Sequence, residues 1–173
     1  YWEPDRVGGP MLDLHVHDAH FIRYLFGMPQ AVSTHGRMHG ACAENWTTVF
    51  QYQDPDLFVS ASSGTIAQQG RPFLHGFEIQ LEKATLLFEF AVIGDEGAYT
   101  SVPTLLGEDG SVSKPDLGDG DPMLAFQAEI AEVARSVTEG HSSPILGGEL
   151  AGDAISLCHA QTKSLQTGQP FAL

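Results

Sequence analysis

The sequence has 173 residues, of which 42% are hydrophobic, with 22 acidic residues against 8 basic ones. This length and composition are typical of one globular domain with its own hydrophobic core. The formal net charge of -14 repels phosphate backbones and anionic lipid headgroups, so it argues against a nucleic-acid-binding or membrane-binding protein.

The cysteines and the apolar runs point to a reducing, aqueous location. Cys42 and Cys158 are far apart and show no disulfide framework or zinc spacing, so we expect a cytoplasmic protein. The most apolar run, 85–93, is about half of the roughly 20 residues that a membrane helix needs. The chain begins at Tyr1 without a methionine or a signal peptide, and we therefore expect it to be part of a longer protein.

The first regular element is predicted to be one continuous helix. Its apolar residues recur at steps of three and four, at Leu14, Phe21, Ile22, Leu25 and Phe26. Pro10 or Met11 is the expected start, since proline is tolerated in a first helical turn. Gly27 and Pro29 then end the helix.

Strands dominate the middle of the chain. Alternation of apolar and polar residues and the intervening turn residues predict strands over 31–39, 45–52, 57–66, 77–82 and 84–93. Short links favour antiparallel neighbours, because a parallel partner needs a long crossover. Residues 94–120 are rich in Gly, Asp, Pro and Ser, and predict an irregular excursion with a short strand at 99–102.

Two helices and a short edge strand are predicted to close the chain. Asp121 and Pro122 form a helix start, and an apolar stripe then continues to Gly140. A second helix is predicted from 148 to 167, followed by an edge strand within 170–173. The fold class is therefore α+β, with an open, mainly antiparallel mixed sheet and helices packed on one face, in a single domain over 1–173. We expect the other, apolar face to be buried in a homo-oligomer.

The reactive side chains concentrate in 13–20, where two interpretations compete. Leu12 to His17 resembles the Asp-x-His-x-His stretch of amidohydrolase-type enzymes, in which His15 and His17 would bind zinc from one face of a strand. That fold is a barrel of typically about 250 residues, and the sequence after His17 has helical periodicity. On a helix, Asp13 and His17 instead share one face, where the carboxylate orients the imidazole and favours its protonated form. This spacing alone also fits an ordinary solvent-facing pair.

The residues around this pair resemble a known family. Residues 8–27 are similar to the Gly-Gly-x-x-x-Asp-x-x-x-His-Asp segment of the glucose-fructose oxidoreductase / inositol dehydrogenase family (Gfo/Idh/MocA). Phe126, Glu129 and Ile130, followed by Gly140 and then by 148–173, look like the closing helix pair of the same family. The resemblance spans essentially the whole chain, and the strands in between match by pattern more than by motif.

The resemblance implies a fold and a site. The chain would be the C-terminal, substrate-binding and oligomerisation domain behind an N-terminal Rossmann domain. Asp13 and His17 would be catalytic, with His17 exchanging the proton of the substrate hydroxyl, Asp13 orienting it, and a lysine of the other domain completing the set. His15 stands where many relatives have glycine, so it would either hydrogen-bond the substrate or fill space. Tyr24 and Trp46 are weaker pocket candidates, for which core packing is the more natural role.

The predicted activity is therefore that of an oxidoreductase. With NAD or NADP as cofactor, the full-length protein would interconvert a hydroxyl and a ketone on a sugar, cyclitol or related polyol. The chain contains no Gly-x-Gly-x-x-Gly turn between a strand and a helix, so we assign it no cofactor-binding residues and expect the fragment alone to be inactive. We assign no metal ligands either. Two alternatives stay open, namely a metal-dependent hydrolase fragment using His15 and His17, and a non-catalytic assembly module of the same fold.

Overall fold

The computed structural model describes residues 2–118 and 120–173 and contains helices and strands in the order expected of an α+β chain. The helices are α1 (Pro4–Val7), α2 (Pro10–Asp13), α3 (Val16–Phe26), α4 (Pro122–Glu139) and α5 (Gly148–Thr167). The strands are β1 (Ala31–His39), β2 (Cys42–Gln51), β3 (Phe58–Gly64), β4 (Phe73–Gln80), β5 (Ala84–Ile93), β6 (Glu96–Gly107), β7 (Val112–Ser113) and β8 (Phe171–Ala172). None of the helices in these two ranges is both long enough and apolar enough to cross a bilayer.

The strands form two antiparallel four-stranded sheets, which confirms the α+β class and the antiparallel pairing. The contacts divide the chain into two compact units. The first contains 1–65 and 125–173 and holds the sheet β3-β2-β1-β8, while the second contains 66–124 and holds the sheet β4-β5-β6-β7. The expectation of a single domain stays a prediction.

The first sheet buries one face because its residues alternate in character. Val32 on β1 and Trp46 and Phe50 on β2 are at most 3% exposed, as the period-two pattern of β2 predicts. The opposite face is polar, and there Thr47 and Ser62 hydrogen-bond across the strands at 2.8 Å. The predicted apolar open face is not prominent here, because most outward positions of this sheet carry polar groups, with Val49 and Phe58 as apolar exceptions. The expected burial of an apolar sheet face in a homo-oligomer stays a prediction.

Helix α5 covers the buried face of the first sheet. It packs against β1 and α3, and its inward residues Ala154, Leu157 and Cys158 are fully buried. Gly168 ends the helix in the left-handed region at φ 67°, where a residue without Cβ is favoured. The chain then returns to the sheet, and Phe171 pairs with Val32 as the predicted edge strand.

The second sheet carries a row of aromatic rings on one face. Register places Phe77 opposite Phe88, and His75 opposite Phe90, which is in turn opposite Tyr99. Neighbouring rings of this aromatic face have centroids 5.2 to 6.4 Å apart. The exposed apolar surface expected of a sheet therefore lies in the second unit. We define the aromatic face by its six residues, Phe73, His75, Phe77, Phe88, Phe90 and Tyr99.

Two predicted elements differ from the structure. The excursion after Gly94 contains a twelve-residue strand, β6, because Gly94 at φ 62° makes a tight turn that lets the chain pair back onto β5. Irregular registers near Glu89 accommodate this pairing where the sequence indicated a loop. The first helix is interrupted after Asp13 by a turn at Leu14 and His15, and α3 begins at Val16. The interruption directs the imidazole of His15 into the protein interior.

Stability should depend strongly on the inward face of α5. Leu157→Ala is expected to lower the free energy of unfolding by about 2–5 kcal/mol, because it leaves a cavity where the side chain is now 0% exposed. Ile155→Ala, on the same helix at 45% exposure, should cost less than about 1 kcal/mol. Urea unfolding of both variants checks this, and equal losses would contradict the described packing.

Candidate functional site

The turn between α2 and α3 carries the Asp/His cluster. Asp13 is the last residue of α2 and His17 the second residue of α3, and both side chains are exposed. Within the described residues no hydrogen bond joins the Asp13 carboxylate to the His17 imidazole. The single helix that would have placed these two residues on one face is interrupted at Leu14 and His15, so their four-residue spacing does not by itself put them on a shared face.

An open depression of about 200 Å³ lies along one face of α3. Four of its lining residues are spaced at 17, 20, 21 and 24, the three- and four-residue steps that share one face of a helix. The lining residues are His17, His20, Phe21, Tyr24, Ile145 and Leu150. The depression therefore brings together two of the predicted site residues, His17 and Tyr24. Its volume is below the roughly 300–1,000 Å³ of sites that enclose a small ligand.

His20 is the polar residue of this depression that the sequence analysis did not single out. Its Nε2 atom is buried and has no hydrogen-bond partner among the described residues. A buried polar atom without a partner carries a desolvation cost. The signal was present in the sequence, because positions 17, 20 and 24 share a helical face.

His15 has a different environment from the one predicted. Its side chain is 0% exposed, and Nδ1 lies 3.0 Å from Asp18 Oδ2 and 2.8 Å from Ser63 Oγ. Ser63 Oγ also donates to Asp18 Oδ2 at 3.0 Å, so the Nδ1 proton faces two oxygen acceptors. The imidazole meets the ring of Trp46 edge-on at 5.5 Å. His15 therefore lies away from the solvent-facing depression, and its polar atoms bind protein groups.

Gln161 completes the hydrogen bonds of His15. Its Oε1 atom lies 3.0 Å from His15 Nε2 and accepts a bond from Thr48 Oγ1 at 2.7 Å, while Thr48 and Thr34 share a further bond of 2.9 Å. With the Gln161 amide in this orientation, Nε2 of His15 faces an acceptor oxygen, and Nδ1 faces the Asp18 carboxylate and the Ser63 hydroxyl. The Nε2 atom of Gln161 is buried without a described partner, and a half-turn of the amide would direct it at the His15 ring.

The carboxyl of Asp18 is held in its ionised form. Burial raises the pKa of this carboxyl. Four contributions lower the pKa and together outweigh burial: the hydrogen bond and the charge of His15, the hydrogen bond from Ser63 and the charge of His17. The pKa of Asp18 therefore lies below its ordinary value. Nearby, burial and then the charge of Asp18 raise the pKa of Cys158 to about 12. Cys158 is therefore a core thiol without nucleophilic character.

The remaining predicted residues separate into core and surface. Trp46 is 3% exposed and packs in the core, which is the natural role that the sequence indicated, whereas Tyr24 is 51% exposed in the depression. In 2–118 and 120–173 no three side chains of His, Cys, Asp or Glu are grouped as metal ligands are. Because both nitrogens of His15 contact protein groups, His15 and His17 do not form the paired arrangement of a zinc clip.

Comparison with protein families gives one match. The family model described as the GFO/IDH/MocA C-terminal domain matches residues 1–100, which is more than half of the chain. The comparison with curated protein sequences found no match.

Solved structures share the fold. An NADPH-dependent oxidoreductase, so named, of Desulfitobacterium hafniense DCB-2 superposes with a TM-score of 0.73 at 18% identity, over 95% of this chain and 48% of that chain. Levoglucosan dehydrogenase in complex with NADH and levoglucosan superposes with a TM-score of 0.69 at 16% identity, over 99% of this chain and 52% of that chain. For a myo-inositol dehydrogenase of Corynebacterium glutamicum the TM-score is 0.59 at 14% identity, over 97% of this chain and 50% of that chain. The chain thus spans about half the length of these structures.

The Asp18 carboxyl should give stability a distinct pH dependence. Because its pKa is lowered on folding, the stabilisation is present above the unfolded pKa and is lost as pH falls through the folded pKa. Wild type should exceed Asp18→Asn in unfolding free energy by at most about 1 kcal/mol near neutral pH, since the side chain is half exposed. Denaturant titrations should show this difference shrinking below about pH 4. A difference that stays constant down to the acid limb would contradict the lowered pKa.

Proposed function

Since the chain belongs to the GFO/IDH/MocA family, we propose that it is the substrate-binding half of an NAD(P)-dependent oxidoreductase that oxidises a hydroxyl of a sugar, cyclitol or related polyol. Similarity in fold to a levoglucosan dehydrogenase in complex with NADH and to a myo-inositol dehydrogenase supports this substrate class. The chain's free cysteines fit a cytoplasmic enzyme.

The observation that carries the proposal is the composition of the depression on α3. It combines the exposed imidazole of His17 with the rings of Phe21 and Tyr24 and the aliphatic side chains of Ile145 and Leu150. A sugar or cyclitol has hydroxyl edges and apolar C–H faces, so it needs polar groups at its edge and apolar or aromatic surface against its face. The depression offers both kinds of contact.

The chemistry asked of this chain is proton transfer and positioning. Oxidation of a secondary alcohol removes a proton from oxygen and a hydride from carbon, and leaves a ketone. His17 takes the hydroxyl proton, because a neutral imidazole is a proton acceptor at physiological pH. Nicotinamide, when bound, supplies the hydride acceptor. In the reverse direction the His17 imidazolium returns the proton to the carbonyl oxygen.

The dinucleotide itself is placed outside this chain. All paired strands of the described ranges are antiparallel, and a Rossmann site requires parallel strands with a glycine-rich turn into a helix. We therefore propose that another domain of the full-length protein binds the body of the cofactor. Whether NAD or NADP is used depends on residues of the nucleotide-binding domain.

Two further residues are given roles beside His17. His20 lines the depression beside His17, and we propose that its ring helps to fix the orientation of the substrate. Asp13 orients the imidazole of His17 once substrate closes the site, because catalytic hydrogen bonds tighten in the substrate complex. Tyr24 provides ring surface and its hydroxyl at the outer end of the depression.

Replacement of His17 tests the proposal directly. The full-length protein should be assayed with NAD⁺ and NADP⁺ against levoglucosan, myo-inositol and a panel of hexoses, by formation of the reduced nicotinamide. In His17→Ala, kcat/KM on the active substrate should fall about 10²- to 10⁴-fold, because the proton acceptor is lost. His159→Ala, an exposed imidazole on α5, is the matched control and should retain wild-type turnover.

Two results would overturn the proposed function. One is the absence of nicotinamide reduction by a folded full-length protein with any member of the panel. The other is undiminished turnover of His17→Ala, which would move proton transfer to another residue.

We further propose that a second copy of this chain covers the aromatic face of the second sheet. Phe73 and Tyr99 are 49% and 47% exposed there beside the half-buried rings of Phe77, Phe88 and Phe90, and an apolar surface of this kind is typical of a contact surface. A two-fold pairing would set the same face against itself. The net charge of -14 on each copy opposes association, so apolar contact must provide the attraction.

Light scattering of the full-length protein checks this proposal. Phe73→Ser combined with Tyr99→Ser should shift the protein from an oligomer towards monomer, while Phe58→Ser, at a 74% exposed ring on β3, should not. Added salt should strengthen wild-type association by screening the like charges. A wild-type monomer at micromolar concentration would refute the proposal.

A further inference from the structure

We propose that His15, Asp18, Ser63 and Gln161 form a positioning cluster, which fixes the turn between α2 and α3 and thereby the direction in which His17 projects. This inference rests on the proposed function for its catalytic consequence, but the cluster itself can be tested without any substrate. None of the four is given contact with substrate, so each acts through the turn.

The cluster ties the turn to two elements that are distant in sequence. Ser63 belongs to β3, 48 residues from His15, and Gln161 to α5, 146 residues away. Both belong to the first unit, as does the turn. The imidazole of His15 bridges them, with Nδ1 towards the strand and Nε2 towards the helix. One side chain thus anchors the turn to the sheet and to its covering helix.

The backbone of the turn is hydrogen-bonded at both ends and weakest at His17. Leu14 N and His15 N donate to Pro10 O at 3.0 and 3.2 Å, and His15 O accepts from Ala19 N at 2.9 Å. His17 N donates to Leu14 O at 3.4 Å, near the limit of a hydrogen bond. The side-chain bonds of the cluster are 2.8 to 3.0 Å long, and the ring that makes them is fully buried. The Nε2 atom of Gln161 is buried without a described partner, and an arrangement that broke the bonds of His15 would leave further polar atoms unpaired.

The burial of His15 and the exposure of His17 are linked. The two residues are separated only by Val16, and the turn directs the first imidazole inward and the second outward. Any rotation of the turn that released His15 would also redirect His17. Asp18 strengthens this link. Its Oδ2 atom contacts His15 and Ser63, and Asp18 directly follows His17 in the sequence.

The Ser, His and Asp of this cluster do not form a nucleophilic triad. Such a triad places serine and carboxylate on opposite nitrogens of the imidazole, so that one nitrogen takes the serine proton. Here Ser63 and Asp18 both lie at Nδ1, Ser63 Oγ donates to the carboxylate, and Nε2 faces the buried Gln161. This geometry orients a side chain and leaves no base for a serine nucleophile.

Ser63→Ala tests the cluster by hydrogen exchange in the full-length protein. Backbone amides of the peptide spanning 10–21 should exchange about ten-fold faster than in wild type, because the turn opens more often. Ser62→Ala is the matched control. The neighbouring serine bonds Thr47 on the opposite face of the same strand, so its loss should leave that peptide unchanged. Ser63→Thr, which keeps the hydroxyl, should restore slow exchange.

The activity readout separates positioning from general stability. With the substrate on which wild type shows turnover, Ser63→Ala should lower kcat about 10- to 100-fold with little change in KM, and Ser63→Thr should recover most of it. His15→Gln serves as a second variant. Unchanged exchange in both variants overturns the cluster, and faster exchange with unchanged kcat overturns its catalytic consequence. Faster exchange in a protein whose wild type reduces no nicotinamide leaves the cluster supported and refutes the proposed function.

Discussion

The packing of α5 against the first sheet is the interaction on which the candidate site depends. The buried side chains of Ala154, Leu157 and Cys158 remove apolar surface from water, and this burial is what holds helix and sheet together. The same contact brings Gln161 beside Thr48 and His15. The hydrophobic interface between α5 and the sheet therefore contains a group of hydrogen-bonded polar side chains. The packing of the apolar side chains brings these polar atoms to hydrogen-bond distance.

From this interface the arrangement of the functional residues follows in steps. The buried imidazole of His15 holds a turn, and the turn separates α2, which ends at Asp13, from α3, which presents His17. Along α3 the helical period then aligns His17 with His20 and Tyr24 in one depression. In the proposed reaction the chain would supply the proton-handling and substrate-facing side, and another domain of the full-length protein would bind the nucleotide.

Much of the fold was accessible from the sequence, because local patterns decide local structure. The alternation around Trp46 and Phe50 predicted β2 and its buried face, and the helix predicted over 148–167 agrees with α5 from Gly148 to Thr167. The family resemblance, carried by 8–27, is confirmed by the match to residues 1–100. The length of strand β6 was underestimated. Its composition is typical of loops, and its pairing with β5 compensates for that composition.

The site was harder to predict than the fold. Helical periodicity predicted one helix over 10–26. The structure interrupts this helix at Leu14 and His15, where the imidazole of His15 is buried against Ser63, Gln161 and Trp46. Those three partners lie 31 to 146 residues away, and nothing in the local pattern points to them. His20 was missed for another reason. Its helical spacing from His17 can be read from the sequence, but the sequence does not show that its Nε2 atom lacks a partner.

A crystal structure of the full-length protein with reduced nicotinamide and the sugar that it turns over fastest would test the central claim most directly. The account predicts a substrate hydroxyl about 2.6–3.2 Å from a ring nitrogen of His17, with the carbon of that hydroxyl facing the nicotinamide and His15 still buried. A sugar bound away from α3, or a reacting hydroxyl with no contact to His17, would contradict it.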